Sequence, residues 1–187
     1  MKIIAKKLIK NDKYDQLFCL RRDGSETSTS MPRQGVLPHD LIHYVVESAL
    51  RYDQGFLGIV AKGSDISFAI EQTHEAKDPN LTNQAIHAEA LVESLQAQLW
   101  SGAFDEEQFQ EGLQSACASR SKPLPDLSHV DVRHDLYERV IEFGQRWHQV
   151  PYQGTLELEM EHLQSCPPQV MLESRPVGWV SDPRVPG

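Results

Sequence analysis

The chain has 187 residues, enough for one domain with its own hydrophobic core. Apolar residues at 40% and charged residues at 24% fit a globular protein, while a net charge of −9 argues against a nucleic-acid partner, which needs clustered Lys and Arg to displace counterions. Cys19, Cys117 and Cys166 are odd in number and far apart with no Cys-x-x-Cys pair, so neither a disulfide framework nor a thiolate zinc knuckle is expected.

The amino terminus, MKIIAKKLIKNDK, carries Lys2, Lys6, Lys7, Lys10 and Lys13. With no aromatics between them they read as one solvated face of a strand or hairpin. They also interrupt the apolar run that a signal peptide needs, and no later stretch has the length of a membrane span. The expected compartment is the cytoplasm, with no membrane partner.

Lys2 to Lys10 reads as a first strand and Gln16 to Arg22 as a second, separated by the turn-forming Asn11-Asp12. Asp23-Gly24 then predicts a hairpin with a two-residue, positive-φ turn into Ser25 to Met31, which completes a three-stranded antiparallel meander. Pro38 suits the first position of a helix to about Tyr52. GFLGIVAKGSDISFAI, residues 55–70, fits either a hairpin or a short helix plus strand, and residues 71–82 read as polar loop. Ala88, Leu91, Val92, Leu95 and Leu99 recur at helical spacing over Gln84 to Trp100, and Phe109, Leu113 and Ala116 repeat the pattern after Gly102.

Two prolines break the chain between Ser121 and Ser128, and Val132, Leu136, Val140, Phe143 and Trp147 mark one amphipathic helix over about 131–149. TLELEMEHL then alternates strictly, with Leu156, Leu158 and Met160 inward and Glu157, Glu159 and Glu161 outward, as in a half-buried strand. A short strand at Val170 to Leu172 and a Pro/Gly-rich tail from Pro176 complete the reading. Strands at both ends around a helical middle predict an α+β domain over residues 1–180, with an antiparallel sheet covered on one face by about four helices and 181–187 as a tail.

Within the predicted helix from Pro38, HDLIH places His39 and His43 one turn apart, at the edge of the apolar arc formed by Leu41, Ile42, Val45, Val46, Ala49 and Leu50. Two imidazoles at the seam between core and solvent can share a metal that water still reaches. Eight histidines make the spacing alone weak evidence, and ordinary hydrogen-bonded imidazoles are the competing reading. The conjunction with the adjacent Asp40, a helix and a seam position favours metal.

A third ligand is required. Glu47 lies about 12 Å from His39 along the helix axis, too far to join both histidines, and suits a role orienting an imidazole through its other nitrogen. On the later helix Glu89 borders the apolar arc at one edge, with Glu93 a turn further on, and His87 lies at the other edge. Geometry leaves the choice open.

HDLIH followed by Glu89-x-x-x-Glu93 resembles the gluzincin zinc proteins, in which two histidines of one helix and a glutamate of a later helix hold zinc. The resemblance implies His39, His43 and Glu89 as ligands, with Asp40 standing where those proteins place the glutamate base that activates zinc-bound water. It covers only the two helices. HDLIH is also similar to the His-Asp-x-x-His proteins of ubiquinone biosynthesis, but at the position of their next glutamate this chain has Gly55. LPHDLIHYVVESAL followed by GFLGIVAKG resembles a family of small bacterial proteins to which no activity is assigned.

His134-Asp135-Leu136-Tyr137-Glu138 repeats the HDL triplet, but His134 lies far from its helix's apolar stripe and is expected to be solvated. No Gly-x-Ser-x-Gly elbow, glycine-rich phosphate loop or cysteine-nucleophile signature accompanies it. The sequence therefore predicts one divalent metal, zinc first and iron second, held by His39, His43 and Glu89. An enzymatic version uses metal-bound water against a small-molecule or peptide carbonyl, with Asp40 as a shortened base. The alternative is a non-catalytic structural or interaction domain without metal.

Overall fold

A computed structural model describes residues 1–75 and 82–163. The meander is present as β1 (Lys2–Lys6), β2 (Tyr14–Leu20) and β3 (Glu26–Pro32), and β4 (Thr155–Glu159) joins it in a four-stranded sheet of order β3-β2-β1-β4. Every pairing is antiparallel. β1 is central: Ile3 lies opposite Cys19 on one side and Leu158 on the other, and Ala5 lies between Leu17 and Leu156. Alternation sends Ile3, Ala5, Leu17, Cys19, Met31 and Leu158 into the core. The opposite face carries Lys2 and Glu157, paired at 2.7 Å.

The β2–β3 connection is longer than the two-residue turn expected. Gly24 N–H donates to the Arg21 carbonyl (3.2 Å), Arg21 N–H donates to the Ser25 carbonyl (2.9 Å), and Gly24 alone takes a left-handed φ of 83°. This is the turn-plus-bulge hairpin, in which one glycine supplies the positive φ. β4 ends at Glu159, and Glu161–Leu163 forms a 3-10 turn where the strict alternation predicted further strand.

Among the described residues there are six α-helices, where about four were expected: α1 (His39–Ala49), α2 (Phe56–Ala61), α3 (Ile66–Glu75), α4 (Asn83–Ser101), α5 (Glu106–Ser119) and α6 (Arg139–Gln149). The two extra helices come from residues 55–70, where glycine-rich sequence suggested a hairpin or a helix plus strand, and α3 runs into the stretch read as polar loop. Asp65 explains the helical outcome. Its carboxylate accepts from Ser67 N–H (2.9 Å) to cap α3, and it holds β3 through the Thr27 hydroxyl (2.8 Å). The predicted 131–149 helix divides into a π-helical segment, Val132–Glu138, and α6, while Leu136, Val140, Phe143 and Trp147 still face the core.

α1 begins on Pro38, which serves as the cap rather than the first helical residue, and ends at Ala49, before the expected Tyr52. Arg51 there adopts a left-handed φ of 53°. α4 spans 19 residues between the Thr82 cap and a left-handed Gly102, and packs against both α1 and α5. α1 and α4 are buried on most of their circumference, so polar residues on their shared seam sit inside the protein. Among the described residues no helix is long and apolar enough to cross a membrane. The strand expected at Val170 to Leu172 and the tail from Pro176 lie outside the described residues.

Candidate metal centre

The seam between α1 and α4 brings His39, His43 and Glu89 together. One ligand atom from each lies within 4.8 Å of the others. His39 Nε2 is 3.3 Å from Glu89 Oε1, and His43 Nε2 is 3.2 Å from Glu89 Oε2, so a single carboxylate spans both imidazoles. The rings meet edge to face at 5.0 Å between centroids. His43 also packs against Phe56 of α2, with 5.0 Å between ring centroids. The His39 side chain retains 15% exposure against 1% for His43, but its Nε2 atom is buried, so the converging donor atoms are enclosed.

A second layer of polar groups fixes both rings. Glu47, one turn below His43 on α1, approaches His43 Nδ1 at 3.0 Å. The same carboxylate accepts backbone N–H groups of Leu57 (3.0 Å) and Gly58 (3.4 Å) at the start of α2. A carboxylate already accepting those donors offers only lone pairs to the imidazole, so Nδ1 of His43 is the donor. On the other ring, His39 Nδ1 lies 3.2 Å from Gln96 Oε1, and Gln96 Nε2 donates to Gln34 Oε1 at 2.6 Å. Both Nδ1 atoms are thereby committed outward, and both Nε2 atoms converge on Glu89.

The glycines of GFLG find their explanation at Glu47. A Cβ at Gly55 would overlap the Glu47 carboxylate, and one at Gly58 would overlap the Asp53 carbonyl. The turn before α2 therefore closes directly over Glu47, which is possible only without a side chain at Gly55, while Gly58 lets the chain pass close to Asp53.

Burying two carboxylates, Glu47 and Glu89, demands compensating positive charge. Burial alone would lower the His43 imidazole, but its hydrogen bonds to Glu47 and Glu89 outweigh that and push it up to about 10. For Glu89 burial alone would raise the carboxyl, yet the two imidazoles facing its oxygens hold it well below the ordinary carboxylate range. The cluster is thus built for cationic charge at its centre.

The remaining sequence candidates lie apart from this centre. Asp40 is buried but is not one of the three converging residues, and its charge acts on Cys19 of β2, whose thiol is pushed up to about 12, chiefly by burial. Glu93 forms a two-pronged pair with Arg120, at 2.8 and 3.0 Å. His87 donates through Nε2 to the Pro123 carbonyl at 2.8 Å. His134 is exposed as expected and pairs with Glu138 at 3.0 Å. Gln96 and Gln34 were missed. Gln96 was detectable in principle, since it stands two turns after Glu89 on the same face of α4, whereas Gln34 reaches the centre from a loop and leaves no periodic signal.

The fold and the cluster together define an α+β protein with a buried two-histidine, one-glutamate centre on a helix pair. No family model, no curated protein and no solved structure matches the chain.

Proposed function

We propose that the protein binds one divalent metal ion, zinc in the first place, through His39 Nε2, His43 Nε2 and the Glu89 carboxylate. The single observation that carries this reading is that both Nδ1 atoms are engaged by Glu47 and Gln96 while both Nε2 atoms converge on Glu89. Imidazoles that ligate metals are oriented through their second nitrogen in this way. The separations of 3.3 and 3.2 Å between each Nε2 and its Glu89 oxygen are those of neighbouring donors on one ion at about 2.0–2.2 Å from each. A divalent ion also supplies two positive charges to the two buried carboxylates at once. Iron suits the same donor set, and zinc is preferred because three N/O ligands with one open tetrahedral position are its usual catalytic arrangement.

The open position gives the reading a catalytic version, in which a degenerate zincin-like hydrolase directs metal-bound water at a carbonyl-type substrate. Asp40 follows His39 where such proteins carry their base, but it is the shorter acid and is not among the three converging residues, so metal binding comes before hydrolysis as the primary function. A second reading, a structural or interaction domain without metal, is favoured by one observation: each nitrogen of His43 already faces a carboxylate, which an imidazolium alone would satisfy.

Elemental analysis of untagged protein, purified without chelator, separates the two. The metal reading predicts about one zinc per chain in the wild type and none in His43→Ala, whereas equal metal content in the two proteins would refute it.

A further inference from the structure

We infer that Gln34 and Gln96 form a polar relay that holds His39 with its Nδ1 protonated and its Nε2 turned to the metal, so that an exposed loop residue sets the competence of the centre. The inference rests on the metal-binding reading for its consequence, but not for its geometry. An amide has one acceptor end and one donor end, so orienting one end fixes the other. Gln96 Nε2 donates to Gln34 Oε1 at 2.6 Å, which leaves Gln96 Oε1 facing His39 Nδ1 at 3.2 Å. An acceptor at that place requires a proton on Nδ1, and a ring protonated there presents Nε2 toward Glu89 Oε1, 3.3 Å away.

The opposite polarity has a definite chemical consequence. If the amide of Gln96 turned over, its NH2 would meet Nδ1 as a donor, the ring proton would move to Nε2, and the lone pair needed for coordination would point away from Glu89. In the observed arrangement Gln34 supplies the acceptor at the far end, and an acceptor-only or donor-only side chain at position 34 would fix the polarity one way or the other. Gln34 is exposed in the loop between β3 and α1, and Gly35 beside it takes a left-handed φ of 79°. Gln96 is buried on α4. His43 has no comparable dependence on the loop, because Glu47 can only accept. Gln34 and Gln96 are therefore positioning residues for one of the two imidazoles.

Three replacements of Gln34 test the relay. Glu keeps the acceptor, Met removes it, and Lys reverses it. The first measurement uses metal-free protein and detects the exchange-protected His39 Nδ1–H proton in 1H–15N spectra, so it stands whether or not the protein binds metal. Wild type and Gln34→Glu are expected to show the proton, and Gln34→Lys to lose it. The second is zinc affinity by competition with a chromophoric chelator. Gln34→Glu is expected to match wild type within about threefold, and Gln34→Lys to weaken binding about 10- to 100-fold, with Gln34→Met between them. A purely electrostatic effect would leave Met equal to wild type, and a purely structural role would make Glu as damaging as Met; either result overturns the relay. An unchanged Nδ1–H signal in Gln34→Lys also overturns it. Absence of zinc binding in every protein would sink the metal reading and leave the spectra to decide the relay.

Discussion

Glu89 is the residue on which the centre turns, because each of its oxygens faces a different imidazole. Glu89→Gln replaces one acceptor oxygen by a donor NH2 and removes the charge, so zinc affinity is expected to fall at least 100-fold in a competition titration, with the fold retained by circular dichroism. The pH dependence follows from the same contacts. In metal-free protein His43 is raised from 6.5 to about 10, so its contribution to stability is complete below 6.5 and is lost as pH rises through 10. Glu89 is lowered from 4.5, so its contribution is present above 4.5 and is lost as pH falls below it. Thermal melts of chelator-treated protein should therefore decline on the alkaline side between pH 6.5 and 10, and zinc, by taking the Nε2 position, should abolish that decline. At this scale the histidine pair could be read from its spacing together with the adjacent Asp40, the helix and the seam position, and Glu47 from helix geometry. Choosing Glu89 over His87 needed a resemblance, because periodicity puts a residue on a helix edge without saying which edge meets α1.

Elements decide where those residues point. α2 is the least obvious and the most consequential, since its first turn donates two N–H groups to Glu47, and Gly55 lets it approach. Gly55→Ala is expected to destabilise the protein by about 1–3 kcal/mol in denaturant unfolding, the cost of forcing a side chain into a filled space, and to weaken zinc binding as Glu47 is displaced. α4 depends on its cap: Thr82 Oγ1 accepts from Ala85 N–H at 3.3 Å and donates to the Gln54 carbonyl at 3.0 Å. Thr82→Ala should cost about 0.5–2 kcal/mol with little change in zinc affinity, because Glu89 lies beyond the first turn. The strands could be read from alternation, and α4 and α5 from helical spacing. Residues 55–70 could not be assigned, since Gly55 answers to a packing contact with Glu47 from another element, of which local sequence carries no trace. The π-helical segment at Val132–Glu138 was likewise hidden, because an apolar stripe at steps of three and four does not distinguish it from α-helix.

Across the whole molecule the sheet and the helix pair have separate supports. Arg33 joins the sheet side, pairing with the buried Asp15 at 2.5 Å, donating to the carbonyls of Ile9, Lys10 and Asp12, and lying over Tyr152 at 5.6 Å. Asp15→Ala leaves that guanidinium without its carboxylate and should cost on the order of 3 kcal/mol in unfolding, while zinc affinity of the folded protein stays within about twofold of wild type. On the metal-binding proposal, loss of stability and loss of metal are expected to be separable, because the cluster lies in the α1–α4 seam, away from Arg33 and Asp15. The α+β class and the sheet composition followed from the order of the segments, whereas the nearly all-round burial of α1 and α4 arises only when both helices are packed. X-ray absorption spectra of the zinc-loaded protein test the central claim most directly. Two imidazole nitrogens and one carboxylate oxygen at about 2.0–2.2 Å, with one imidazole shell lost in His39→Ala, is the predicted result; a zinc environment unchanged by His39→Ala, or one without imidazole scattering, would contradict it.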